Sequence, residues 1–281
     1  MVRIQAEQPS QHRPEAVQGA GSVRQGPDRS LRVMTDLLPG AEPFSASGGP
    51  LGVLVLHGFS GSPHAVRPLA TAFAAAGHTV EAPLLPGHGT SVEDMVGTGF
   101  DDWSAAVAAA HRELARRCRQ VFVVGLSMGG TLALWLAARE PSVAGVVTIN
   151  APALVDPDAM DGIRSFVEAG AELMDTVVGD IADPEAQDLG YELAPLVPLL
   201  SLWEAIEQLD LAAVAVPALV ISSAQDHTID PASSRHIASS VTGPVETLVL
   251  PRSYHVAPLD LDRDLLIERS LAFVHRLAAG A

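Results

Sequence analysis

A mostly parallel β-sheet with helices on both faces is the fold class this 281-residue sequence predicts. Three observations carry the expectation. Beyond residue 32, short apolar runs alternate with longer segments of helical character, and that rhythm builds strand–helix–strand units with parallel strands. Several runs, such as Val121-Phe122-Val123-Val124, show no polar alternation, as strands covered on both faces should not. One strand-to-helix passage carries the turn Gly125-Leu126-Ser127-Met128-Gly129, whose small residues permit a sharp reversal.

Taken in chain order, residues 51–56, 79–85, 121–125, 143–149, 218–222 and 245–250 read as strands, being short, apolar and rich in β-branched side chains. Between them, 63–76, 101–117, 128–139 and 231–240 read as helices, and 260–277 closes the chain as another. Asp101 and Asp260 are natural N-caps for two of these, and Pro63 and Pro231 suit a first turn because a missing N–H costs nothing there. Residues 1–32 are rich in Gln, Pro, Gly, Ser and Arg without an apolar core, and the expectation for them is a disordered tail.

Residues 153–210 break the rhythm. They contain no convincing strand, and a loop of that length inside a compact domain would be abnormal, so a helical insertion over the carboxyl edge of the sheet is expected. From Asp156 to Glu192 there are eleven acidic residues and one basic residue, Arg164. The next segment spaces Leu196, Leu199, Leu200, Trp203 and Ile206 as one helical face. Two readings stand: a solvated acidic face followed by a core-packing helix, or a cap whose apolar underside lines a pocket.

Composition narrows the function. Hydrophobic residues make up 48% and charged residues 18%, which is globular. A formal net charge of −16 argues against nucleic acid as a partner and against anionic membrane surfaces. All 17 basic residues are Arg, so chemistry through a lysine amine is excluded. The lone Cys118 excludes an intrachain disulfide and a Cys-rich metal site, and it reads as a helix-end residue. No run approaches the roughly eighteen apolar residues of a membrane span, so the expectation is a cytoplasmic protein without integral membrane association.

The strand–turn–helix around Ser127 is the context of a nucleophile elbow, in which the hydroxyl projects above the carboxyl edge of the sheet at a helix N-terminus. A serine hydroxyl needs a base, and the base an orienting acid, in the chain order Ser, acid, His for this architecture. The strand at 218–222 leads into Ser223-Ala224-Gln225-Asp226-His227, and the strand at 245–250 into Pro251-Arg252-Ser253-Tyr254-His255. Asp226 and His255 therefore complete the candidate set. Asp230 competes with Asp226, but it stands directly before Pro231 and suits a helix cap, whereas Asp226 is nearer the strand end. His227 reads as a surface residue and His57 as a structural hydrogen-bonding one, and the turn at Pro86-Gly87-His88-Gly89 is assigned no chemistry. The backbone N–H of Met128, and that of Phe59 in His57-Gly58-Phe59-Ser60-Gly61-Ser62-Pro63, are candidate donors to an oxyanion.

These motifs, with Leu38-Pro39-Gly40-Ala41-Glu42-Pro43-Phe44 as lead-in, resemble the α/β-hydrolase superfamily, and within it bacterial carboxylesterases and monoacylglycerol lipases. The resemblance runs from about Leu38 to the end of the chain. It implies an α/β-hydrolase fold over 33–281 with a helical cap at about 153–210, and Ser127, Asp226 and His255 as triad. It also implies Phe59 and Met128 as oxyanion hole and an acyl pocket under the cap, for which Leu196, Leu199, Trp203, Ile206 and Tyr254 are the candidate substrate-binding residues. Tyr254 departs from the family, where glycine often precedes the histidine, and its bulk would narrow the pocket mouth. The expected activity is hydrolysis of small neutral, lipid-like esters through an acyl-enzyme, with no metal and no organic cofactor. The competing expectations are a short-chain carboxylesterase or thioesterase on the same triad, which the sequence leaves open, and a retired hydrolase that only binds a ligand, which has no need to keep serine, acid, base and oxyanion loop together.

Overall fold

The computed structural model of the protein describes residues 36–176 and 178–280, so the expected tail at 1–32 lies outside the described residues. The chain runs β1 (Phe44–Ala46), β2 (Leu51–Leu56), α1 (Arg67–Ala75), β3 (Thr79–Ala82), α2 (Val92–Val96), α3 (Phe100–Arg117), β4 (Gln120–Leu126), α4 (Met128–Ala137) and β5 (Val143–Ile149). It continues α5 (Pro157–Glu168), β6 (Leu173–Asp175), β7 (Leu193–Pro195), α6 (Leu196–Glu207), β8 (Ala218–Ser223), α7 (Ala232–Ser240), β9 (Val245–Leu250) and α8 (Arg263–Ala279). Seven strands form one sheet in the order β1-β3-β2-β4-β5-β8-β9. Every neighbouring pair is parallel except β1 with β3.

The uninterrupted apolar strands are explained by two cores. Val53, Val55, Phe122, Val124, Val147, Ile149, Leu219 and Ile221 pack with Leu69 and Phe73 of α1 and with Leu266 and Phe273 of α8. Their chain neighbours Leu54, Leu56, Val121, Val123, Val146 and Val220 turn the other way, toward Trp103 and Leu114 of α3, Leu132 of α4 and Ile237 of α7. Successive side chains point to opposite faces of a sheet, so a strand buried on both faces has no position to give to a polar residue.

Several boundaries differ from expectation, each for a local reason. Residues 79–85 were expected as one strand, but β3 stops at Ala82 because Pro83 has no N–H to pair and the Leu85 N–H donates to His57 Nε2 at 3.1 Å. The helix expected at 63–76 is split: Pro63–Val66 is a 3₁₀ turn, and α1 begins at Arg67 with Pro68 in its first turn. Asp101 does not cap α3; Gly99 occupies that place, and its N–H donates to Asp102 at 3.0 Å. Asp260 does not cap α8, which starts after Asp262. Its buried carboxylate instead accepts the N–H groups of Ala182, Asp183, Tyr254 and Leu261.

Residues 153–210 contain two helices, α5 and α6, together with strands that were not expected. β6 and β7 pair antiparallel, Leu173 opposite Pro195 and Asp175 opposite Leu193. The acidic stretch is also less solvated than its charge suggests. The Asp180 side chain is only 8% exposed, and Asp188 is half-buried. Among the described residues no helix is long and apolar enough to cross a membrane.

Candidate active site

Ser127 sits between β4 and α4 with φ 52° and ψ −123°, a left-handed backbone that costs a non-glycine residue about 1–3 kcal/mol. Its surroundings hold it there. The Ser127 N–H donates to the Ile149 carbonyl at 2.8 Å, and its own carbonyl accepts from Gly130 N at 2.8 Å. A side chain on Gly125 would bring its Cβ to 2.1 Å from the Gly129 carbonyl oxygen, and one on Gly129 would stand 2.4 Å from the Leu56 oxygen. The turn closes only because both are glycine. Met128 and Gly129 open α4, whose first N–H groups have no acceptor within the helix.

The loops after β8 and β9 bring Asp226 and His255 together. Asp226 Oδ1 accepts Thr228 N at 2.8 Å and Ile229 N at 2.7 Å, and Oδ2 lies 2.9 Å from His255 Nδ1. With the carboxylate accepting throughout, Nδ1 carries the imidazole proton and Nε2 is left as the acceptor. Asp230 is used otherwise: its Oδ1 accepts Ala232 N at 2.7 Å, at the start of α7. His227 turns away from the pair, with Nδ1 2.8 Å from Asp180.

Ser127 and His255 line one cavity of about 130 Å³, together with Phe59, Leu199 and Trp203. Asp188, also in its wall, has its carboxyl pushed above the usual value, chiefly by burial. A second cavity of about 310 Å³ shares the walls Pro152, Trp203 and Ile229 with the first and adds Leu154, Val155 and Ile206. Of the five side chains expected around a substrate, Leu199 and Trp203 reach the first cavity, and Trp203 with Ile206 the second. Leu196 is buried against Ile163 and Leu199. Tyr254 lies at neither cavity, its ring edge-on to His227 at 4.4 Å.

The turn that carries Phe59 rests on a histidine. Gly61 N donates to Gly58 O at 3.3 Å with Ser60 at φ 55°. A Cβ on Gly58 would lie 3.3 Å from that of Ser127, so this turn stands directly against the elbow. His57 accepts Leu85 N through Nε2 and, through Nδ1, donates to Gly58 O at 2.9 Å. Its neighbour His88 lies edge-on to both His57 and Trp103. Burial, reinforced by the charge of His88, pushes His57 down from 6.5 to about 3, and burial pushes His88 to about 4.

Both folded values lie below 6.5, so the unfolded chain takes up protons that the folded one refuses. The stability these two residues contribute is complete above pH 6.5 and is lost as pH falls toward 4 and then 3. Each should add a slope of about 1.4 kcal/mol per pH unit on the acid side. Urea unfolding at pH 7, 6 and 5 is expected to show that decline. His88→Phe should make it shallower, since Trp103 Nε1 still donates to the Pro86 carbonyl that His88 also bonds. An unfolding free energy that stays level from pH 7 to 5 would refute this assignment.

Three positions at the site were not visible in the sequence. Asn150, at the end of β5 with φ 49°, donates from Nδ2 to His255 O at 2.8 Å and to Ser223 Oγ at 3.0 Å, and accepts Ser223 N at 2.7 Å. Asp180 and Asp188 come from the insertion. A polar residue ending a buried strand is a faint signal for Asn150, whereas nothing distinguishes the two aspartates from the nine other acids of their stretch.

Comparison with known proteins adds four findings. A family model described as the alpha/beta hydrolase family matches residues 53–269. A thermostable monoacylglycerol lipase of Bacillus sp. (strain H-257) is 44% identical over 243 residues, covering 84% of this chain and 95% of that protein. A carboxylesterase of Bacillus subtilis (strain 168) is 28% identical over 242 residues, covering 84% and 97%. Among solved structures, a chain of the metagenome-derived lipolytic enzymes LipS and LipT superposes with a TM-score of 0.82 at 39% identity, covering 86% of this chain and all of that one.

Proposed function

The chain is an enzyme of the alpha/beta hydrolase family and has its fold, and from that premise we propose that it is a serine hydrolase of neutral, lipid-like carboxylic esters such as monoacylglycerols or medium-chain acyl esters. The observation that carries the reading is the 2.9 Å contact of His255 Nδ1 with Asp226, made where His255 and Ser127 face one cavity. In this reading Nε2 of His255 takes the proton of Ser127 Oγ as the hydroxyl attacks the ester carbonyl. The oxyanion that forms is held by the N–H groups of Phe59 and Met128. The imidazolium then protonates the departing alcohol, and water, activated by the same histidine, releases the acid from the acyl-enzyme. Asp226 keeps the proton on Nδ1 and stabilises the cation. No step calls for a metal or an organic cofactor.

In the same reading, residues 153–210 are a cap and its α6 supplies Leu199 and Trp203 to the acyl site. Asp188 is one of several polar side chains, with Ser60 and Asp180, in a wall that also holds Phe59, Leu199 and Trp203, a mixture that suits an alcohol keeping free hydroxyls, as glycerol does. The net charge of −16 disfavours heavily anionic substrates such as acyl-CoA and anionic bilayers, and favours dispersed neutral esters. A short-chain esterase is the second reading, favoured by the smaller volume of the cavity at Ser127, about 130 Å³ against about 310 Å³ for its neighbour.

A series of p-nitrophenyl esters from acetyl to palmitoyl, assayed beside 1-monoolein, tests the reading. Each methylene removed from water is worth about 0.8 kcal/mol, so kcat/KM should rise by up to roughly fourfold per carbon until the cavity is full. Trp203→Ala removes the largest of the three side chains that line both cavities and should move that limit to longer chains. A steady fall from acetyl to octanoyl with 1-monoolein untouched would reject the lipid reading in favour of the short-chain one.

A further inference from the structure

The backbone of the histidine loop is tied down residue by residue. The carbonyls of Tyr254 and His255 accept from the sheet side, from Ser223 Oγ at 2.7 Å and Asn150 Nδ2 at 2.8 Å. Tyr254 N donates to Asp260 at 2.7 Å. The next two N–H groups are bound from the other direction, by the insertion. His255 N donates to Asp180 Oδ2 at 3.2 Å, and Val256 N to the Asp180 main-chain oxygen at 3.1 Å. The same carboxylate holds the acid loop: His227 N donates to Oδ2 at 3.0 Å, and His227 Nδ1 lies 2.8 Å from Oδ1. His227 follows Asp226 directly, so one side chain grips both loops whose separation sets the Asp226–His255 bond. Asp180 also lines the cavity at Ser127.

We propose that Asp180 is a positioning residue: a carboxylate supplied by the inserted segment that clamps the acid loop to the base loop and holds His255 in register with Asp226. The inference rests on the Ser127–His255–Asp226 reading. The two loops follow the paired strands β8 and β9 and are joined at their bases by Ala224 N to Leu250 O and Gln225 Nε2 to Pro251 O, both at 2.9 Å; Asp180 ties them again further out, beside Asp226 and at His255 itself. Catalytic groups must be held to within about 0.5 Å, and a misplacement of about 1 Å costs roughly 100-fold in rate. Hydrogen bonds to an ionised acceptor are about twice as strong as neutral ones, which suits a carboxylate for the clamp. The insertion is thereby a part of the catalytic frame as well as a cover.

Asp180→Asn is the test, in the full-length enzyme with a p-nitrophenyl ester. The amide has one acceptor where the carboxylate has two, and it turns an NH₂ toward N–H groups. Rates are expressed per active site, counted by end-point labelling with an organophosphonate. The expected result is a fall in kcat of about 100-fold with KM within about threefold. Asp180→Glu keeps the charge and displaces it by a methylene, so kcat should still fall at least about tenfold with KM little changed. A residue serving stability alone would lower the melting temperature in both variants and leave kcat per labelled site within about threefold of the wild type; that result overturns the proposal. Should the variants fail to fold, hydrogen exchange of the unmodified enzyme decides. The amides of His227, His255 and Val256 should be protected together, and free exchange of the first two overturns the clamp. A wild type that hydrolyses no ester and takes no label would reject the parent reading instead.

Discussion

Ser127→Ala is expected to reduce ester hydrolysis by about 10⁴-fold or more while leaving the melting temperature close to that of the wild type. The magnitude follows from losing the nucleophile outright, with only the oxyanion donors and substrate binding left to act on water. The tolerance of the fold follows from where the hydroxyl stands. It faces a cavity, and none of the hydrogen bonds that hold the elbow involves it, since they run through the Ser127 N–H and carbonyl. Alanine also keeps the small Cβ that lies against Gly58. The backbone strain at φ 52° is the same for alanine as for serine, so removing the hydroxyl does not relieve it. An organophosphonate should add its mass to the wild-type protein and not to the variant. Retention of a tenth of the wild-type turnover would reject Ser127 as nucleophile.

The central strands could be read directly because they are covered on both faces, which leaves long apolar runs bounded by turn residues. Short edge elements leave no such trace. β1 and the β6/β7 pair are three residues each, and their sequences, Phe44-Ser45-Ala46 and Leu173-Met174-Asp175, carry no periodicity that separates strand from loop. The misplaced caps have a related cause. Asp260 looks like a helix start in sequence, but four backbone N–H groups, two of them from the insertion, compete for its carboxylate in the folded chain. Around the candidate site, Ser127, Asp226 and His255 could be singled out in sequence because each follows a recognisable strand at a short distance. Asn150 and Asp180 could not, because their contacts exist only once β5, residues 153–210 and the two loops have come together. Tyr254, expected at the pocket mouth, shows the same limit in reverse: its place beside His255 in sequence says nothing of the direction of its ring, which goes to His227.

The same contrast between neighbours in sequence decides the two acids. Asp226→Asn is expected to lower kcat by about 10⁴-fold, and Asp230→Asn to leave most of the activity in place. At Asp226 the two oxygens divide the work: Oδ1 accepts two backbone N–H groups, and Oδ2 accepts Nδ1–H of His255. An asparagine there keeps one oxygen. The strong backbone donors at 2.7 and 2.8 Å will claim it, which turns the NH₂ toward His255. A donor facing Nδ1 drives the imidazole proton to Nε2, and a protonated Nε2 has no lone pair with which to accept the proton of Ser127. The loss is therefore in kcat, with KM little changed, and the fold should survive because the backbone bonds of the loop are kept. Asp230 has a different duty, accepting Ala232 N at the start of α7, and asparagine performs it well. Its carboxylate also lies 3.9 Å from Arg235, an exposed pair contributing little. Steady-state rates of the two variants on one ester distinguish the cases. A severe loss in Asp230→Asn with near-normal turnover in Asp226→Asn would move the orienting acid to Asp230, and the 2.9 Å contact at His255 would then have no catalytic meaning.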